Sequence, residues 1–202
     1  MEDIRKAKAE CDRVVVMYHG GKEQCRYPSP RLSKVCHAFA KNGADVVLCQ
    51  HSHCVGCYEK YEDCHILYGQ GNFHFVKPAF AKDLEGWEDG LAVCYDTETH
   101  EINFIPFVMN ETGVELAKGE EKTIIIKEFE KRNAKLLDGT WKDGWHDFCI
   151  KLEHQYKGIL KNVCGDENEK YYDEFFGHYL DCEAHTDVFR ELFPTYNLTN
   201  EK

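Results

Sequence analysis

Nowhere does the 202-residue chain contain a window of about 18 consecutive apolar side chains, the length a helix needs to cross a bilayer. That absence excludes a membrane-spanning helix. The first ten residues, Met1 to Glu10, form a charged helical pattern without the apolar core of a signal peptide, so the expected location is cytoplasmic. Basic residues are also outnumbered: 25 Lys and Arg stand against 36 Asp and Glu, a formal net charge of -11. A nucleic-acid partner requires a basic face, so none is expected, and an anionic substrate would need a local positive centre such as bound metal. Repeats and low-complexity stretches are missing too. At this length and with 43% hydrophobic residues, one substantial core is expected, with a helical appendage.

A regular disulfide framework is the next absence. Eleven cysteines are spread from Cys11 to Cys182 without a repeated spacing, and several fall inside apolar runs, which reads as reduced, buried thiols. Cys54-x-x-Cys57 stands apart because it follows His51 and His53 directly. Those four residues form an alternative reading, a structural zinc site. No second Cys-x-x-Cys accompanies them, and four ligands within seven residues strain a tetrahedral cage.

What the chain does have is histidine at the ends of strands. Val14 to Tyr18 is an apolar run leading into His19-Gly20-Gly21, and Val46 to Cys49 leads into Gln50-His51-Ser52-His53. Such runs read as buried parallel strands, and side chains at the carboxyl ends of parallel strands converge on one crevice. Three imidazoles at one sheet edge point to metal. A lone histidine at a strand end is more often a hydrogen-bonded structural residue; His65, His74, His100, His146, His154 and His178 lack comparable framing.

Between the two strands, Ser29 to Asn42 carries helix signals: a capping Ser29, Pro30 at the first position, an apolar stripe through Leu32, Val35, Cys36, Phe39 and Ala40, and Asn42-Gly43 at the end. Strand, helix and strand make a right-handed βαβ unit. Shorter strands are expected at 58–61, 65–68, 91–96 and 101–108, the last two as a hairpin around 97–100. Gly69-Gln70-Gly71 lacks the following helix of a dinucleotide loop and reads as a turn beside a site. From Gly119 the pattern becomes helical. One stripe runs from Trp145 through Phe148, Cys149, Leu152, Tyr156, Ile159 and Leu160, and another through Tyr171, Tyr172, Phe175, Phe176, Tyr179 and Leu180 after a capping candidate at Asp166. Both stripes read as core first and as a lid over the crevice second. The sequons at Asn110 and Asn197 read as chance matches.

The motifs His19-Gly-Gly-Lys-Glu23, Pro28-Ser-Pro30, Asn42-Gly-Ala-Asp45, Gln50-His-Ser-His53 and Gly69-Gln-Gly-Asn-Phe73 resemble, in order, those of the bacterial capsule-synthesis CapA family, also called the poly-γ-glutamate biosynthesis family, which is related to calcineurin-like metallophosphoesterases. The resemblance runs from about Asp12 to Pro106. It implies an α/β fold: the C-terminal half of a metallophosphoesterase sandwich over residues 1–118, a mixed sheet with a βαβ unit, followed by a helical extension over 119–202. It further implies a metal-dependent hydrolase module holding up to two divalent ions (Mn, Fe or Zn), with His19 and His51 on one metal and His53 on the other. Glu23 and Asn72 would line the site in catalytic roles. A small-molecule or polymer substrate such as polyglutamate would be the partner.

The family's remaining ligands lie in a Gly-Asp motif, a later acidic position and an Asn-His motif, all upstream of the matched region. Gly165-Asp166 and Asn72-Phe73 do not replace them. The expectation is therefore a chain corresponding to the C-terminal half of a CapA-like protein, with catalysis weakened by the missing anionic bridge. The alternatives are a non-catalytic accessory fragment that works as a homo-oligomer or takes its N-terminal half in trans, and the structural zinc protein described above.

Overall fold

The computed structural model describes residues 1–75, 77–78, 84–164 and 170–194. These form two compact units, Met1–Lys142 and Asp143–Lys202. The expected features at Asp166 and Asn197 lie outside the described residues.

In the first unit, helix α1 (Glu2–Glu10) precedes strand β1 (Val15–His19), helix α2 (Pro30–Lys41) and strand β2 (Val46–Gln50). The α2 boundaries follow from local chemistry. Ser29 Oγ accepts a hydrogen bond from the Leu32 amide at 3.0 Å, Pro30 has no amide to satisfy, and the chain leaves through Gly43 at φ +105°. Strands β1 and β2 pair in parallel with Val15 opposite Val46 and His19 opposite Gln50, completing the βαβ unit. Strands β3 (Tyr58–Tyr61) and β4 (Cys64–Leu67) form a tight hairpin, and β4 adds in parallel to β2. The resulting sheet has the order β1-β2-β4-β3.

Strands β5 (Asp89–Tyr95), β6 (Ile102–Asn110) and β7 (Gly113–Leu116) form a second, antiparallel sheet. The β5–β6 hairpin was legible in the alternation of its residues. Strand β7 was not: four residues with a half-exposed pattern are too short to show a period. Helix α3 (Gly119–Asp138) begins where the sequence turns helical, but it belongs to the first unit, so the break in compactness falls after Lys142 and not at 118. The reason is burial. Ile125 and Phe129 of α3 join Val46 and Leu48 of β2, Leu67 of β4, Leu91 of β5 and Val108 of β6 in one apolar cluster. Each fully buried Leu or Phe of such a cluster contributes roughly 1.5–3 kcal/mol of transfer free energy, so detaching α3 would be costly.

Strand β1 is different. It closes one edge of its sheet, and Val15 and Met17 are 48% and 58% exposed. The opposite edge, at β3, is covered by α3: Asn133 Oδ1 accepts from the Tyr58 amide, and Arg132 donates to the Gly56 carbonyl.

The second unit is helical: α4 (Trp141–Val163, in this unit from Asp143), α5 (Lys170–Asp181) and α6 (Glu183–Leu192). Trp145, Cys149, Tyr156, Ile159, Tyr179 and Val188 are buried, so both aromatic stripes supply core, while Leu160 and Leu180 face solvent. Helix α6 had no separate signal in the sequence. No helix of the described residues is long and apolar enough to cross a membrane.

Candidate metal centre

The parallel register fixes where the strand-end histidines go. His19 is the last residue of β1 and lies beside Gln50, so the His19-Gly20-Gly21 turn and the His51-Ser52-His53 loop leave the sheet side by side. Two backbone hydrogen bonds hold them together, from the Gly20 amide to the Gln50 carbonyl (3.0 Å) and from the Gln24 amide to the Ser52 carbonyl (2.8 Å). His51 and His53 both adopt positive φ, +89° and +56°. Left-handed backbone at two nearby non-glycine residues costs free energy and persists where the surroundings impose it, as at functional sites.

The ring centroids of His19 and His51 are 4.8 Å apart, and those of His51 and His53 are 6.3 Å apart. With metal–nitrogen bonds of ~2.0–2.1 Å and tetrahedral angles, two imidazoles on one ion have centroids roughly 5 Å apart. His19 and His51 fit that separation, and His53 stands beyond it. The three do not enclose a single point.

Each imidazole has its own support. His53 Nδ1 is 2.9 Å from Asn72 Oδ1, while the Asn72 amide donates to the Trp87 carbonyl (2.9 Å) and the His53 carbonyl (3.3 Å). With its Oδ1 accepting, Asn72 fixes a proton on His53 Nδ1 and leaves Nε2 as a lone-pair donor. Trp87 stacks on the same ring at 5.3 Å and an interplanar angle of 15°. His51 Nδ1 is buried without a hydrogen-bond partner, the one such side-chain atom among the described residues. Its nearest charged neighbour is Glu23 Oε1 at 3.6 Å. Burial pushes the Glu23 carboxyl up, but the charge and hydrogen bond of Lys22, with a smaller contribution from His51, outweigh it and hold the group ionised below its ordinary range.

The Gly69–Phe73 segment forms the wall opposite, and both glycines are required. A Cβ on Gly69 would lie 2.6 Å from Ser52 Oγ, and one on Gly71, at φ +79°, would lie 2.2 Å from the Asp89 carbonyl oxygen. Bridges Val55–Gln70 and Gly71–Gly90 attach this segment to the His-x-His loop on one side and to β5 on the other. The turn expected at Gly69-Gln70-Gly71 is part of this wall. A cleft of about 650 Å³ opens here, lined by the three histidines, Gln50, Asn72 and Phe75 among others.

Cys54 and Cys57 do not complete a cage with His51 and His53. Among the described residues, the group of three or more donors lying within 4.8 Å of one another is His178, Cys182 and His185, in the helical unit. Cys54 and Cys57 are buried thiols; burial pushes both above the ordinary thiol range, and Cys54 Sγ donates to the Cys25 carbonyl. They pack as core because Val55 and Gly56 are drawn under the Gly69 wall. Trp87 went unnoticed in the sequence, since nothing in its local pattern ties it to a histidine 34 positions earlier.

Fold and cleft together define a mixed α/β protein with a histidine-rich crevice at the carboxyl ends of parallel strands. Residues 1–77 match the family model described as bacterial capsule synthesis protein PGA_cap. Two curated relatives agree: the capsule biosynthesis protein CapA of Bacillus anthracis, 27% identical over 167 residues (77% of this chain, 38% of the relative), and the PGA biosynthesis protein CapA of Bacillus subtilis, 36% identical over 72 residues (36% and 19%). Through this matched region the chain is similar to the CapA proteins of capsule and poly-γ-glutamate biosynthesis. It spans less than two-fifths of the length of either relative.

Proposed function

We propose that this chain carries the histidine portion of a metal-dependent, hydrolase-type centre serving capsule or poly-γ-glutamate biosynthesis. The observation that carries the reading is His51 Nδ1, buried without a hydrogen bond and facing a carboxylate held ionised by Lys22. An imidazole bound to a cation through Nε2 characteristically turns its other nitrogen toward a carboxylate, which fixes the tautomer and raises ligand basicity. A small movement of Glu23 completes that contact. His19 and His51 would share one ion and His53 would present Nε2 to a second, with Asn72 orienting His53 and facing the substrate. The neutral imidazole and carboxylate donors suit Mn, Fe or Zn.

A divalent ion held there supplies a water of lowered pKa and a Lewis acid for a phosphoryl or acyl oxygen. The chain's own residues bind and orient: Gln70 to Phe73 line the cleft, Trp87 stacks on His53, and Lys22 neutralises Glu23 so that the acidic surface does not repel an anionic substrate at this point. Three neutral imidazoles with one nearby carboxylate leave two adjacent dications poorly compensated. The isolated chain is therefore expected to bind metal and to turn over phosphodiester or γ-glutamyl model substrates slowly. Metal analysis with a turnover assay tests this. Failure to bind any divalent ion would refute the centre, and an ordinary enzymatic rate, on the order of 1–1000 per second, would refute the view that its charge compensation is incomplete.

A second reading is favoured by the exposed edge at β1. An accessory module would use Val15, Met17 and the edge position of this strand to pair with a second copy or with a separate chain that brings further carboxylates. Light scattering of the isolated chain, and of the chain mixed with the upstream half of a curated relative, separates the two readings: a complex whose formation raises metal occupancy supports the accessory role.

A further inference from the structure

The helical unit holds a second group of metal-type donors that is independent of the strand-end histidines. His178 lies in the last turn of α5, Cys182 is the junction residue before α6, and His185 lies in the first turn of α6, so the spacing is His-x3-Cys-x2-His. The Cys182 amide donates to the His178 carbonyl at 2.9 Å, and the Thr186 amide to the Cys182 carbonyl at 3.0 Å, which fixes the two helix ends around the cysteine. One donor atom from each of the three residues lies within 4.8 Å of the others. The His178 and His185 ring centroids are 5.1 Å apart with planes at 76°, the separation that two imidazoles on one tetrahedral ion require.

We propose that His178, Cys182 and His185 bind one thiophilic divalent ion of the zinc class at the α5–α6 corner. Zinc sites are assembled from this donor set, and a His2Cys trio leaves the fourth position to water. The buried member is already oriented for it. His185 is 6% exposed, its Nδ1 lies 2.6 Å from the Tyr156 hydroxyl, and Tyr179 stacks on its ring at 3.7 Å. When His185 Nδ1 donates to that hydroxyl, as the non-ligating nitrogen of a metal-bound histidine characteristically does, Nε2 carries the lone pair that an ion takes. Cys182 is half-buried and His178 exposed, so the ion has an entry path. On binding, the Cys182 thiol gives its proton to solvent, two metal–nitrogen bonds and one metal–sulfur bond form, and no electron changes hands. The site ties α5 to α6, and Tyr156 extends the tie to α4.

Cobalt(II) distinguishes this site from the strand-end cleft, because a thiolate ligand gives a charge-transfer band in the near ultraviolet and an all-histidine site does not. The full chain, stripped with chelator and kept reduced, is titrated with Co2+ and then back-titrated with Zn2+. The band is expected in the wild-type chain and in His51→Ala, to vanish in Cys182→Ser, and to need at least about tenfold more Co2+ in His178→Ala, whose side chain is exposed. Tyr156→Phe should weaken binding by about 10–100-fold. Absence of the band from the folded wild-type chain, or its persistence in Cys182→Ser, would overturn the proposal. A band lost in His51→Ala but kept in His178→Ala would overturn it equally, placing the thiolate site in the cleft.

Discussion

The two ends of the four-stranded sheet both hold polar side chains and treat them in opposite ways. At the amino ends of β2 and β4, Asp45 is 7% exposed and accepts from the Val14 amide (2.7 Å), from Lys8 (2.8 Å) and from Arg13, and lies 3.1 Å from His100 Nε2. His65 beside it is bonded on both nitrogens, Nδ1 to the Tyr58 hydroxyl and Nε2 to the His100 carbonyl. At the carboxyl ends, His51 Nδ1 has no hydrogen bond, and two residues take left-handed backbone. A histidine satisfied on both sides is structural, and one left incomplete beside a carboxylate is available for chemistry. A hollow alone is no guide here: the polar hollow around Asp45 and His100 is a pocket as well, and its groups are already paired with one another.

Substituting the satisfied end should cost stability, and substituting the incomplete end should cost binding. The largest effect is expected for Asp45→Ala, which strands the buried Val14 amide and takes from Lys8, Arg13 and His100 the carboxylate they share; a loss of roughly 3 kcal/mol in urea unfolding is expected. If that variant unfolds normally but loses metal, the division of labour between the two ends is wrong. Next comes His51→Ala, which should lower metal affinity by at least about 100-fold, or 2.7 kcal/mol, with little change in unfolding. Cys54→Ala measured beside it should retain its metal, and equal losses in the two variants would return the cysteines to the site.

Glu23→Gln is expected to reduce metal affinity by about 10–100-fold, or 1.4–2.7 kcal/mol, because it removes the charge facing His51 while keeping the shape. Acid sharpens the contrast further. Burial pushes the Asp45 carboxyl up, but hydrogen bonds from Lys8, Val14 and His100 and the Lys8 charge bring it below its ordinary value. A carboxyl lowered in the folded state adds stability that is fully present above its unfolded pKa of about 3.9 and is lost as pH falls through the lower folded value. Wild-type stability should therefore drop below about pH 4 more steeply than that of Asp45→Asn. The smallest effect is expected for Lys6→Ala, which breaks an exposed pair with Glu2 and should change stability by less than about 0.5 kcal/mol.

Much of the first unit was legible because its signals are local. Ser29 and Pro30 start α2, Asn42-Gly43 ends it, and the two Val-rich runs could only be parallel neighbours once a helix joined them. The placement of His19 next to His51 follows from that pairing. Trp87 and the Gly69 wall reach the cleft through contacts formed only in three dimensions, which no local spacing announces. The packing of α3 is hidden for the same reason: its sequence is helical, but its partners, Leu67 and Leu91, are remote in the chain. His178 lacks a strand frame. Its signal is a helical one, donors at positions i, i+4 and i+7, and a search for strand-end histidines passes over it.

The parallel register of β1 and β2 also makes the cleft a record of how the molecule folds. His19 and His51 stand on opposite sides of the whole α2 crossover, and they meet only after that loop has closed and the two strands have aligned. Contacts of this sequence separation form slowly, and a slip of one residue would turn His19 to the other face of the sheet. If the cleft binds an ion as proposed, one added during refolding would be captured late, in step with sheet formation and not with the helices. The order of those two events, read by stopped-flow metal uptake against far-ultraviolet dichroism, would time the closing of the sheet without any label on the chain.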